Sequence, residues 1–272
     1  MAAITAKDVK QLRDATGVGM MDAKNALVAT DGDFDAAGKW LLERGLAKSA
    51  ERADRDNSEG CVAVATAEGV AAMVQLRSET DFVAKSPDFT GLAQALADAV
   101  AAEGEGATAA LGERLDELKI RLKENIDLGT VVRFEAAPGN VLDTYLHVQA
   151  DRGVNGVIVE VAGGDAELAH EVAVSVAFNR PAFLSRDDVP ADVVAGQREL
   201  LETQTRNEGK PEAAMEKIVT GKLTGFFKEV GKPGSPKGVL LDQAYPKDEK
   251  QSIQQLLGGA SIVRFAQIEI GA

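Results

Sequence analysis

The chain has 272 residues, with 30 Lys or Arg against 43 Asp or Glu and a formal net charge of −13 at pH 7. That length allows one large domain or two to three smaller ones, and the acidity opposes electrostatic binding to nucleic acid or an anionic membrane. A protein partner or a small ligand is the better match. No apolar run approaches the roughly 18 residues of a membrane span, and the start, Met1 to Lys7, lacks a basic segment followed by an apolar core. The expectation is a cytoplasmic protein. Cys61 is the single cysteine, so no intramolecular disulfide can form, and with His147 and His170 it makes no zinc set.

Residues 1–56 carry ten acidic and nine basic side chains, nearly neutral in an acidic chain, which marks a separate unit. Thr5 and Asp8 have the spacing of a capping box ahead of Val9, Leu12 and Ala15 on one helical face. Gly17 and Gly19 supply the turn into a second helix, Met20 to Thr30, which carries Met21 and Leu27. Met20 and Met21 suit either gap-filling core or an adaptable contact surface, with core the default for at least one. A third helix starts after Asp33, places Phe34, Ala37 and Leu41 inward, and stops at Gly45. The spacing predicts a three-helix module over residues 1–47, and the charged stretch at 48–58 reads as a linker.

Gly60 to Thr66 and Val70 to Leu76 flank Ala67-Glu68-Gly69 as an antiparallel hairpin. The stretch Thr80-Asp81-Phe82-Val83 follows at a junction, since Ser86-Pro87 then opens a helix with Phe89, Leu92, Ala93, Leu96 and Val100 on one face. Phe82 has two readings here, a core aromatic or a side chain presented on a rigid base. After a loop at Glu103 to Thr108, a helix aligns Leu111, Leu115, Leu118, Leu122 and Ile126, and Thr130 to Glu135 returns as a strand.

The second half repeats this order. Val141 to Gln149 and Val154 to Val161 flank Asp151-Arg152-Gly153, a helix follows from Glu167 to Phe178, and Val263-Arg264-Phe265 echoes Val132-Arg133-Phe134. These features predict an α+β protein, with a duplicated core of antiparallel sheets covered by helices in halves 59–140 and 141–272. A helical hairpin at about 191–230, packed through Val194, Leu200, Leu201, Met215, Ile218, Val219 and Phe226, is inserted in the second half. It reads equally as a self-packed arm or an interaction surface.

Catalytic chemistry is hard to assemble from these residues. The Gly-Lys pairs at 38, 209, 221 and 231 precede Trp, Pro, Leu and Pro, never Ser or Thr, so no P-loop offers a phosphate cradle and the chain is not expected to bind nucleotide itself. Gly17-Val18-Gly19 lies between helices and lacks a third glycine, which excludes a dinucleotide fingerprint. Cys61 reads as a small core residue, and His147 as a hydrogen-bonded strand histidine or a partner contact. The weight falls on a protein that works by binding rather than an enzyme, with no cofactor and no metal.

Two stretches carry a family resemblance. Leu12-Arg13-Asp14-Ala15-Thr16-Gly17-Val18-Gly19-Met20-Met21-Asp22-Ala23-Lys24-Asn25-Ala26-Leu27, and Thr80-Asp81-Phe82-Val83-Ala84-Lys85 with Phe89 following, together resemble the signatures of the bacterial elongation factor Ts family. Gln75, Arg77 and Ser78 depart from that family's usual Glu, Asn and Cys. The resemblance implies a UBA-like N-terminal module and a guanine-nucleotide exchange factor whose partner is the GTPase elongation factor Tu. It further implies that Thr80, Asp81, Phe82 and Val83 displace the partner's magnesium, with further contacts at Leu12, Val18, Met20, Met21, Lys24 and His147. A scaffold or holdase without exchange activity is the alternative.

Overall fold

The computed structural model describes residues 4–271, so residues 1–3 and 272 of the two terminal units lie outside it. Helices α1 (Ala6–Thr16), α2 (Met20–Ala29) and α3 (Phe34–Ala50) form the N-terminal module around Val9, Leu12, Val18, Ala23, Ala26, Leu27, Ala37 and Leu41. The capping box at Thr5 and Asp8 is present, and Asp33 caps α3 by accepting from the Ala36 N–H. Two expectations fail. Ala15 is exposed, because the apolar face of α1 ends at Leu12. Gly45 does not stop α3, which continues to Ala50.

Gly45 instead admits another helix. A Cβ built there would lie 2.6 Å from Cγ1 of Ile120, on the helix that carries the module, so a hydrogen at this position sets the distance between the two. A helical glycine conserves close approach at the expense of backbone entropy.

In the first half, β1 (Glu59–Ala67) and β2 (Val70–Ser78) form the predicted hairpin, and β3 (Asp127–Glu135) pairs antiparallel with β2. Between β2 and β3 come a single turn of helix, α4 (Asp81–Ala84), then α5 (Pro87–Glu103) and α6 (Gly112–Leu122). The expected loop at 103–108 is in fact a 3-10 segment, Glu105–Leu111, leading into α6. Helix α5 lays Phe89, Leu92, Ala93, Leu96, Ala97 and Val100 on Cys61, Ala63, Ala72, Val74 and Leu76 of the sheet.

The second half repeats the topology. Strands β4 (Val141–Gln149) and β5 (Arg152–Ala162) form a hairpin, and α7 (Ala166–Asn179) covers it. The turn is shifted by one residue from the expected Asp151-Arg152-Gly153, since Arg152 and Gly153 already pair in β5. Ala150 and Asp151 take it, with φ of 50° and 62°, the left-handed pair that a two-residue hairpin requires. Helices α8 (Ala191–Asn207) and α9 (Glu212–Phe227) make the hairpin arm, packed through Leu201, Met215, Val219, Leu223 and Phe227. Leu200, expected in that seam, is exposed, since its neighbour Leu201 takes the inward position. Short strands β6 (Ala244–Tyr245) and β7 (Asp248–Ser252), helix α10 (Ile253–Leu257) and strand β8 (Ser261–Glu269) complete the chain, β8 pairing with β5. The sheet orders, β1-β2-β3 and β4-β5-β8, match as a duplication should.

The echoed tripeptide does not mark equivalent positions. Arg133 lies on the helix-covered face of its sheet, donating to the Val100 carbonyl of α5, and Phe134 points to the other sheet. In β8 the phase is reversed, with Phe265 under α7 and Arg264 between the sheets. A strand alternates faces at every residue, so a one-residue offset exchanges inside and outside.

The two sheets pack on each other through Val62, Ala71, Met73, Ile158 and Ile268. One polar cluster is built into this layer. Buried Glu160 accepts from Ala137 N–H (2.9 Å), Asn140 Nδ2 (2.7 Å) and Arg264 Nε (2.7 Å), which pins the connector between the halves. The Arg264 guanidinium stacks 4.2 Å from the Phe134 ring centroid, so the two residues from the two tripeptides meet. Burial by itself would raise the Glu160 carboxyl, but the hydrogen bonds from Asn140, Ala137 and Arg264 outweigh it and hold the group below the ordinary carboxylate range.

Candidate functional site

Strand β2 ends at Ser78, and the chain turns directly into α4. Thr80 is the N-cap, its hydroxyl accepting from the Val83 N–H at 3.3 Å. Buried Ser78 donates to the Thr80 carbonyl at 3.1 Å, fastening the turn to the end of the strand. Ala84 is buried and Val83 packs against the first-half core, so the inner side of this single helical turn is anchored. The outer side carries Phe82.

Phe82 is 75% exposed, the most open of the large apolar side chains among the described residues. The residues alone leave its placement open and the family resemblance implies a presented ring; the geometry shows why: four residues of helix with Val83 and Ala84 facing inward turn residue 82 outward. Its ring is flanked by the Lys85 ammonium, 4.4 Å from the centroid, and that ammonium also pairs with Asp81 at 3.2 Å. An apolar ring thus stands in solvent among a carboxylate and an ammonium, on a base that is packed and hydrogen-bonded. Phe89, seven residues on, is fully buried.

The base is braced from far along the chain. Between α6 and β3, Glu124 accepts from the backbone N–H groups of Glu79 (3.1 Å) and Thr80 (3.2 Å) and from the Thr80 hydroxyl (2.5 Å). Asn125 returns the contact, its N–H donating to Glu79 Oε1 at 2.6 Å, and its side chain donates to the carbonyls of Ala53 and Arg55. Lys123, at φ 59°, reaches Asp22 of the module at 3.2 Å. Sequence reading missed these residues because they act from about 45 positions away; the polar break Lys123-Glu124-Asn125 between an amphipathic helix and a strand was the only local signal.

The other candidate residues divide by exposure. Met20, Met21 and Lys24 line the outer face of α2, with Met21 65% exposed, which corrects the expectation that at least one methionine is core. Val28 extends that face. Leu12 and Val18, by contrast, lie in the module's own core, so they support the α2 surface from beneath and do not form it. His147 is exposed near the end of β4, which corrects its reading as a hydrogen-bonded strand histidine. Cys61 is buried under α5, and burial pushes its thiol up to about 12, as suits an inert core residue.

The structure is a duplicated α+β core that displays an aromatic on a braced turn, and comparison with known proteins specifies its class. A family described as Elongation factor TS matches residues 79–272, a span that begins at this turn. The chain is 44% identical to the elongation factor Ts of Saccharopolyspora erythraea, over the whole of this chain and 99% of that protein. It is 42% identical to that of Clavibacter michiganensis over the full length of both, and 41% identical to that of Mycobacterium tuberculosis over 99% of that protein. These relationships define a nucleotide exchange factor of translation elongation. The chain belongs to the elongation factor Ts family.

Proposed function

We propose that the chain binds the GTPase elongation factor Tu in its GDP form, that Phe82 enters the partner beside its nucleotide site, and that the resulting shift displaces magnesium. The observation that carries this reading is the 75% exposure of an aromatic ring on a packed and hydrogen-bonded turn. Such a ring gains on leaving water, about 1.5–3 kcal/mol for a buried phenylalanine, and loses no core contact in doing so. Magnesium in these GTPases neutralises phosphate charge, so its removal weakens nucleotide affinity and speeds release. Linkage then makes the effect reciprocal: nucleotide rebinding weakens the exchange factor's hold by the same factor.

One ring does not supply a whole interface. The exposed face of α2 at Met20, Met21, Lys24 and Val28, together with exposed His147, gives further contacts, with Leu12 and Val18 holding α2 in place. The protein acts by binding and carries out no bond chemistry of its own. Its place of action is the cytoplasm, where elongation occurs.

Stopped-flow release of labelled GDP from elongation factor Tu tests this reading. The chain should accelerate release at millimolar magnesium, Phe82→Ala should lose most of that acceleration, and the difference between them should shrink when magnesium is chelated. Equal release with and without the chain would instead favour a scaffold or holdase, and a Phe82→Ala protein that exchanges normally would remove the ring from the mechanism.

A further inference from the structure

We infer that Glu124 is a positioning residue for nucleotide exchange, setting the aim of Phe82 by holding the backbone of the turn from the far side of the first half. This rests on the reading of Phe82 given above.

The turn cannot hold itself. Helix α4 is four residues long, far below the length at which a helix is stable without tertiary support. Phe82 is 75% exposed and joins none of the buried clusters, and the Lys85 ammonium flanks its ring. Its direction is therefore the direction of the backbone at 80–83. That backbone has two anchors, the inward packing of Val83 and Ala84 and the hydrogen bonds at Glu79 and Thr80. Packing limits how deep the turn sits, while the hydrogen bonds limit its rotation.

Glu124 makes three of those hydrogen bonds with one carboxylate. Oε2 takes both backbone N–H groups, and Oε1 takes the Thr80 hydroxyl, which fixes the hydroxyl's proton and leaves its lone pairs for the Val83 N–H. The cap and the brace are thus one network. Glu124 is in turn held on both sides, by Lys123 to Asp22 and by Asn125 to Glu79, Ala53 and Arg55, so it is a fixed post and not a swinging side chain. Removal of the carboxylate leaves two N–H groups without partners, and the turn relaxes toward water. A displacement of an ångström in a positioned group is enough to matter to rate.

The test is a double-mutant cycle in the GDP-release assay, with exchange factor varied to separate maximal rate from half-saturating concentration. Glu124→Ala should lower the maximal rate on the order of tenfold and move half-saturation less than about twofold. Glu124→Gln should rescue to within about twofold, because its amide oxygen can accept from the two N–H groups while its nitrogen donates to the Thr80 hydroxyl. In the Phe82→Ala background, Glu124→Ala should change the rate less than about twofold. Equal losses in both backgrounds would overturn the proposal, as would a Glu124→Gln protein as slow as Glu124→Ala. Amide hydrogen exchange in the free proteins judges the brace without reference to the partner: Thr80 and Val83 should exchange faster in Glu124→Ala than in wild type, and unchanged protection overturns the inference. If Phe82→Ala exchanges nucleotide normally, the ring's role fails by itself, and the hydrogen-exchange result still decides whether Glu124 holds the turn.

Discussion

Phe82 and Phe89 lie seven residues apart, one 75% exposed and the other fully buried, and the turn of α4 between them is what separates their roles. Phe82→Ala removes a ring from water and should leave thermal stability within the ±0.5 kcal/mol range typical of surface changes. Phe89→Ala empties a core position under the sheet and should cost about 3–5 kcal/mol. Paired thermal melts of the two variants check this. An early melt for Phe82→Ala would place its ring in the core.

Gly45→Ala should destabilise the protein although alanine is the better helix former. The gain in helix propensity is about 1 kcal/mol. Against it stands a Cβ 2.6–2.8 Å from three carbons of Ile120, a β-branched side chain with little freedom to swing aside. Overpacking of this kind costs about 1–3 kcal/mol, so the clash wins. Denaturant titration should show a lower midpoint for Gly45→Ala, and the added change Ile120→Ala should restore part of the loss.

Glu160 is one buried carboxylate on which acid stability depends. Its carboxyl is held below the ordinary range in the fold, so its contribution is present above the unfolded value of about 4.3 and is lost as pH falls through the folded value. Wild-type protein should therefore lose stability below about pH 4 more steeply than Glu160→Gln. At pH 7 the variant should be weaker by about 1–3 kcal/mol: the Gln oxygen can still accept from Asn140 and the Ala137 N–H, but its NH2 takes the place of the oxygen that accepts from Arg264 and sets donor against donor. Melting curves from pH 7 to pH 3 separate the two effects.

Cys61 should be silent until the fold opens. Burial raises its thiol to about 12, so the folded protein binds that proton more tightly than the unfolded chain does. The sign is opposite to that of Glu160: the contribution is complete below about pH 8.5 and is lost as pH rises toward the folded value. Iodoacetamide at pH 8.5 should label native protein far more slowly than protein in denaturant. Fast labelling of the native state would contradict the burial.

Much of the fold was legible in the sequence because local rules and packing agree there. The capping box at Thr5 and Asp8, the proline opening α5 and the face from Phe89 to Val100 all lie where their spacing puts them. The order of hairpin, helix and strand in both halves was legible too. Errors arose where a residue's neighbours come from another element. Gly45 has the form of a helix stop until Ile120 is placed beside it, and Arg264 resembles Arg133 until the pairing with β5 assigns it to the opposite face.

For the site, the sequence by itself determined the chemistry on offer: a threonine cap, a carboxylate, an aromatic and an ammonium within one turn, in a pattern shared with a known family. Whether that aromatic faces core or solvent was decided only in three dimensions, since it depends on which side of α4 meets the sheet. The brace was decided there as well. Glu124 reaches Thr80 because α6 returns the chain to the end of β2, and no local spacing encodes a contact across 44 residues. Short-range propensity specifies what a segment can become, whereas burial and hydrogen bonding between distant segments specify what it presents.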